Sequence, residues 1–192
     1  MKLTVLLDVD GILTNYAAQT VELLNELKLG KTFTEADITD WEASHYVPRA
    51  RQDEYWKRCN APGFVLQMKP YLEAQQAVET LHRLAEVVVV TSYLRGATTW
   101  VHERDQWLLQ HFGIKPDHVI HTRAKQHVFG HVFVDDALKN VVPWGRKHGG
   151  STALLWDKPY NQDATFEDED HFERVWSWGA VLETVSAMRD AT

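Results

Sequence analysis

Asp8 and Asp10 stand two residues apart at the end of an apolar run, with Gly11 directly behind them, in the stretch LTVLLDVDGILTN at 3–15. Two carboxylates this close repel each other unless a cation sits between them or one stays protonated, and both solutions suit chemistry on an anion. Gly11 lets the chain turn sharply, with backbone close to whatever the carboxylates hold. The plainer alternative is an acidic turn after an edge strand. A second acidic pair, Asp135 and Asp136, follows the apolar run VFV, and Thr91 with Ser92 follows VVVV at 87–90. Four carboxylates and two hydroxyls make a hard, oxygen-rich set suited to Mg²⁺, an ion commonly shared with a substrate phosphate. The phosphate needs a cation of its own opposite the metal. HTRAK at 121–125 offers Arg123 and Lys125 just before the second acidic pair.

These groups can meet only if the runs before them are neighbouring strands. Leu3–Leu7, the β-branched run 87–90, His118–Ile120, Val132–Val134 and Thr152–Trp156 read as five strands. Helical spacing fits 17–29 (Val21, Leu24, Leu27, then Gly30), 71–85 (Leu72, Ala77, Leu81, Leu84) and 98–112 (Trp100, Trp107, Leu108, Phe112). The alternation predicts an α/β doubly wound parallel sheet, whose strands share one carboxyl edge where ligands bind. Between the third and fourth strands lie about eleven residues, room for only a turn or two of helix. After Trp156 an irregular acidic run, FEDEDHFE at 166–173, leads to a closing amphipathic helix from about Ala180. Residues 31–66 break the pattern. Thr34 and Asp37 look like caps, Pro48 and Pro62 are breakers, and Trp41, Tyr46, Tyr55, Trp56 and Phe64 lie among charges, which predicts two or three short helices. Residues 1–15 and 69–192 are therefore assigned to the α/β core and 16–68 to a small helical cap.

Composition narrows the function classes. A net charge of −7 over 192 residues disfavours a nucleic-acid binder, which carries a basic face. The one cysteine, Cys59, excludes an internal disulfide framework and reads as a small packed side chain rather than a nucleophile. No apolar run approaches 18 residues and no leader precedes the first strand, so the expectation is a soluble cytoplasmic protein with no membrane partner. His118, His121, His127 and His131 crowd one region, but without helical spacing or cysteine partners they make a poor zinc site.

In their order along the chain, these motifs resemble the haloacid dehalogenase (HAD) superfamily. Its phosphatases carry DxDG, then Thr or Ser after a second strand, then Lys, then paired acids. The likeness is closer to the 5′(3′)-deoxyribonucleotidases, a family of pyrimidine-type 5′-nucleotidases: DVDGILTN, APGF at 61–64, TS at 91–92, TRAK, VFVDD, LLWDKPYN at 154–161 and SW at 177–178 all have counterparts there. The family usually shows Thr-Ser-Pro with a lysine shortly after. Here TSYLR puts Tyr93 for the proline and Arg95 near the lysine position, which keeps the charge but changes its reach.

The resemblance implies a Rossmann-like HAD core with a helical cap inserted after the first strand. It implies a Mg²⁺-dependent phosphomonoesterase acting on (deoxy)ribonucleoside monophosphates. Asp8 would be the nucleophile and Asp10 the general acid and base. The metal would be held by Asp8, the Asp10 backbone carbonyl and one of Asp135 and Asp136, with Asp136 the favoured ligand and Asp135 orienting metal waters or Lys125. Thr91, Ser92, Arg95, Arg123 and Lys125 would hold the phosphate, and Tyr16, Trp41 and Phe64 would line the base and sugar. An apolar lining of that kind favours deoxyribose. A homodimer is allowed, though nothing in the sequence requires one. Two rivals remain: another HAD phosphatase, such as a polynucleotide 3′-phosphatase, and a non-catalytic nucleotide-binding protein that retains the fold.

Overall fold

A computed structural model describes residues 3–163 and 171–191. Strand β1 (Thr4–Leu7) lies at the centre of a six-stranded, wholly parallel sheet. It pairs with β2 (Glu86–Thr91) on one side and β4 (Val132–Asp135) on the other. β3 (Val119–His121) extends the β2 side, while β5 (Thr152–Trp156) and then β6 (Phe172–Val175) extend the β4 side, giving the order β3-β2-β1-β4-β5-β6. The first three strands run outward in one direction and the chain then returns to build in the other, so the order reverses between β1 and β4. A crevice opens at such a reversal, outside the carboxyl ends of the strands. Asp8 and the Asp135–Asp136 pair end the two strands that flank it.

Side-chain alternation along the strands divides the core. Val5 and Leu7 of β1 point to the face covered by α3 (Leu72–Leu84), α4 (Trp100–Phe112) and α6 (Trp178–Asp190). Leu6 and Phe133 point to the opposite face, which Val141 and Trp144 of α5 (Leu138–Lys147) cover. Between β1 and α3 the chain forms α1 (Tyr16–Glu26), α2 (Gln52–Cys59) and several single 3-10 turns. Leu23, Leu24, Leu27, Phe33, Ile38, Val47 and Tyr55 from this stretch share an apolar cluster of their own.

Several expectations change. α5 and β6 did not emerge from the pattern. α5 contains Pro143 and Gly145, both residues that argue against a helix. β6 (FERV) is a short edge strand with a mixed charged sequence. The last helix starts at Trp178, capped by Ser177, rather than near Ala180. Leu72, expected on the buried side of α3, is exposed as the helix's first residue. α1 ends at Glu26, and Lys28 rather than Gly30 takes the first left-handed position after it. Residues 31–66 hold one α-helix, with 3-10 turns for the rest. Of the expected acidic run, 166–170 lies outside the described residues. The β3 to β4 connection holds one 3-10 turn, Lys125–His127, in keeping with its length.

Candidate active site

Parallel pairing continues one residue past β1, since the Asp8 amide donates to the Val134 carbonyl at 3.0 Å, and this fixes the carboxylate at the crevice. The chain then folds back on itself, with the amides of Leu13 and Thr14 donating to the Val9 carbonyl at 2.8 and 3.1 Å. Gly11 sits in this turn at φ +80°, and a Cβ there would lie 2.0 Å from Asp136 Oδ2. Only glycine allows the turn and the second acidic pair to approach so closely.

Lys125, just 1% exposed, reaches in from the turn before β4 and places Nζ 2.7 Å from both Asp8 Oδ1 and Asp135 Oδ2. Asp135 is otherwise saturated: Oδ1 accepts from the Ala137 amide at 2.8 Å, and Asn140 Nδ2 donates to both oxygens at 3.1 and 3.0 Å. Asp136 differs. Tyr160 donates to its Oδ2 and Asn161 to its backbone carbonyl, while its buried Oδ1 has no partner. Oxygens of Asp8, Asp135 and Asp136 lie within 4.8 Å of one another, the one such group among the described residues. Three ionised carboxylates against one ammonium leave two negative charges in excess, which a divalent cation would neutralise. The hard oxygen donors and the open Asp136 Oδ1 therefore fit such an ion.

The electrostatics carry the same imprint. Burial, reinforced by Asp135 and Asp8, pushes the Asp136 carboxyl well above the usual range. Burial also pushes Asp135 up, to about 6, with Lys125 opposing. For Lys125 burial acts downward, but Asp135 and Asp8 outweigh it and raise the ammonium above its ordinary value.

Asp10 stands apart from this cluster. Its side chain, 29% exposed, accepts a 2.8 Å hydrogen bond from Arg104 Nη2, and burial raises its carboxyl pKa although Arg104 opposes. The fully buried Arg104 was not foreseen, yet Trp100, Arg104, Trp107 and Leu108 recur at helical spacing, so a guanidinium on the buried stripe of α4 was readable. Its neighbour Glu103, also buried, accepts from the amides of Gly63 and Val65 at 2.6 and 3.2 Å, which pins the APGF segment. Asn140, Tyr160 and Asn161 are further residues of the site that spacing alone did not single out.

Thr91 ends β2 beside β1 and Ser92 follows it, where Ser92 Oγ donates to the Thr122 carbonyl at 3.4 Å. Arg95 and Arg123 are exposed and make no ion pair among the described residues. Trp41, 43% exposed, lines a groove of about 350 Å³ with Asp136, Lys139, Tyr160 and Asn161, and the Lys139 ammonium lies 3.2 Å from its ring centroid. Neither Tyr16 nor Phe64 lines that groove. Tyr16 opens α1 near Asp10, and its hydroxyl pKa is raised by burial and then by the Asp10 charge, while Phe64 packs 6.1 Å from Trp100. The groove beside Trp41 also carries Asp40, Glu42, Ala137 and Leu138. The histidines are scattered: His121 meets Asp105, His131 Nδ1 accepts from the Thr4 amide, and His127 faces Lys147.

Solved structures with the same architecture are distant in sequence. They include an L-2-haloacid dehalogenase from Xanthobacter autotrophicus (TM-score 0.62, 12% identity, 98% of this chain and 100% of that one). A haloacid dehalogenase-like hydrolase from Xanthomonas campestris (0.56, 15%, 100% and 99%) and a HAD family hydrolase from Deinococcus radiodurans R1 (0.56, 14%, 97% and 96%) are similar to the same extent. No curated protein matches the chain. The model of one family, "5′ nucleotidase, deoxy (Pyrimidine), cytosolic type C protein", matches residues 2–190. With a HAD-type parallel sheet, an acidic cluster at its reversal point and a match spanning nearly every residue, the chain belongs to the cytosolic type C 5′-nucleotidase family.

Proposed function

We propose that this protein is a Mg²⁺-dependent phosphomonoesterase that hydrolyses nucleoside monophosphates through an aspartyl-phosphate. The observation that carries the reading is Asp8, fixed at a strand end by Lys125 beside an Asp136 oxygen with no protein partner. Asp8 Oδ2 forms a bond to phosphorus as the bond to the ribose oxygen breaks, and the departing oxygen takes a proton from Asp10. Asp10 then removes a proton from water, whose oxygen bonds to phosphorus as the Asp8–phosphorus bond breaks. The products are nucleoside and phosphate, with both aspartates restored. Lys125, Thr91 and Ser92 face the transferring oxygens and counter their charge, with Arg95 and Arg123 at the rim. Asp8, Asp136 and the Asp10 carbonyl would hold the metal, with Asp135 locking Lys125. When bound, Mg²⁺ supplies positive charge against the carboxylates and the phosphate.

Residues 16–68 act as a cap over this crevice, with Trp41 on its groove-facing side. The family's cytosolic type agrees with a cytoplasmic enzyme, and among the described residues no helix is long and apolar enough to cross a membrane. Phosphate release from paired ribo- and deoxyribonucleoside monophosphates, with Mg²⁺ and with chelator, tests the reading. Hydrolysis that survives chelation, or an Asp8→Asn variant that keeps substantial turnover, refutes it.

A further inference from the structure

Arg104 is a costly residue for the fold to keep. Its side chain is fully buried, its Nε and Nη1 have no partner, and its contacts are one carboxylate oxygen, the Met68 sulfur at 3.6 Å and the rings of Trp100 and Trp107 at 5.4 and 5.8 Å. Removing a guanidinium from water for a single ion pair gains little stability, and an apolar side chain of similar length would fill the space between two indoles at least as well. What it does hold is Asp10 Oδ1, and it does so from a rigid base. α4 is tied at Glu103 to the amides of Gly63 and Val65, and at Trp107 Nε1 to the Met68 carbonyl at 2.7 Å. Asp10 keeps 29% of its side-chain surface exposed, whereas Arg104 has none. Oδ2 accepts no hydrogen bond among the described residues.

We propose that Arg104 is a positioning residue for Asp10: by occupying Oδ1 from behind, it fixes the carboxyl so that Oδ2 presents its proton to the leaving oxygen. The proposal rests on Asp10 being the general acid. It concerns the step in which the ester oxygen takes the bonding pair from phosphorus and the proton from Oδ2. A poor leaving group such as a ribose alkoxide needs that proton, whereas a nitrophenolate leaves without it. Loss of position should therefore appear as a steeper dependence of kcat/KM on leaving-group basicity. That ratio reports only steps up to loss of the leaving group, so slow hydrolysis of the phosphoenzyme cannot mask the effect.

The experiment compares wild type, Arg104→Met, Arg104→Lys and Asp10→Asn on nucleoside 5′-monophosphates, phenyl phosphate and 4-nitrophenyl phosphate. Arg104→Met should lose about 100-fold in kcat/KM on the nucleotides and less than about 3-fold on 4-nitrophenyl phosphate, and Arg104→Lys should recover about 10-fold of the nucleotide loss. An equal loss on all substrates, or none, overturns the proposal, because a merely structural residue would not sort substrates by leaving group. If melting shows Arg104→Met to be unfolded, Arg104→Lys decides: a slope steeper than wild type supports the role and a parallel one overturns it. Asp10→Asn separates the two layers. A flat slope in that variant removes Asp10 as the acid and the proposal with it, whereas a steep slope there with a flat one in Arg104→Met removes Arg104 alone.

Discussion

Asp135 and Asp136 are adjacent in sequence and buried side by side, but their hydrogen bonds give them different work. Asp135 spends both oxygens on Lys125, Asn140 and the Ala137 amide, while Asp136 keeps Oδ1 free. Mg²⁺ should therefore raise the melting temperature of wild type by mass action, amounting to about 2.7 kcal/mol at 100 times its Kd. Asp136→Asn should lose most of that shift, measured by calorimetry with and without the ion. Asp135→Asn should keep a Mg²⁺ shift but melt lower in its absence, because an NH2 group replaces one of the two oxygens that accept from Lys125, Ala137 and Asn140. Lys125→Met leaves Asp8 and Asp135 facing each other without their cation, and should cost about 3–5 kcal/mol in the metal-free protein by denaturant unfolding. For Gly11→Ala, the positive φ and the crowding of Asp136 predict loss of both stability and turnover, on the order of 1–3 kcal/mol for the backbone alone.

The segments between elements determine where these groups stand. The turn 39–46 that carries Trp41 is braced by the Tyr46 hydroxyl, which accepts from the amides of Thr39 and Asp40 at 2.7 and 2.6 Å, and by His45 Nδ1 at 2.6 Å from Asp40. The Asp40 hydrogen bond raises the His45 pKa above 6.5, so the brace contributes fully below that pH and is lost as pH rises through the raised value. An NMR titration should place His45 above an ordinary histidine, and Asp40→Asn should return it. If Trp41 walls the nucleotide, Trp41→Ala should raise KM for nucleotides far more than for 4-nitrophenyl phosphate. An equal rise would assign it to the turn's own packing. Five strands, four helices and the acidic edge were legible because each rests on local periodicity or on a motif at a strand end. α5 was hidden by Pro143 and Gly145, and β6 by its charged edge sequence. Arg104 was hidden for another reason: a charge on an apolar stripe reads as an interruption until its partner, 94 residues away, is known.

Across the whole molecule, the chemistry depends on a strand order that the motifs do not spell out. Thr91 and Asp135 look equivalent as strand-end groups, and Lys125 looks like one more polar residue of a connecting turn. Only the reversal between β1 and β4 makes the Asp8–Asp135–Asp136 group the centre and leaves Arg95 and Arg123 exposed beyond it. That same order has a consequence for biosynthesis. β1 is made first but acquires its second neighbour only when β4 emerges, and translation at about 5–20 residues per second puts that wait on the order of ten seconds. Throughout the interval an apolar strand has at least one unpaired edge, a template for intermolecular pairing. Nascent chains stalled before residue 132 should therefore aggregate or engage chaperones, while full-length released chains, with β6 and α6 in place, should not, a contrast that ribosome-arrested fragments of graded length can measure. The strand that ends at Asp8 is the first to be synthesised, yet β2, made later, has both of its neighbours sooner.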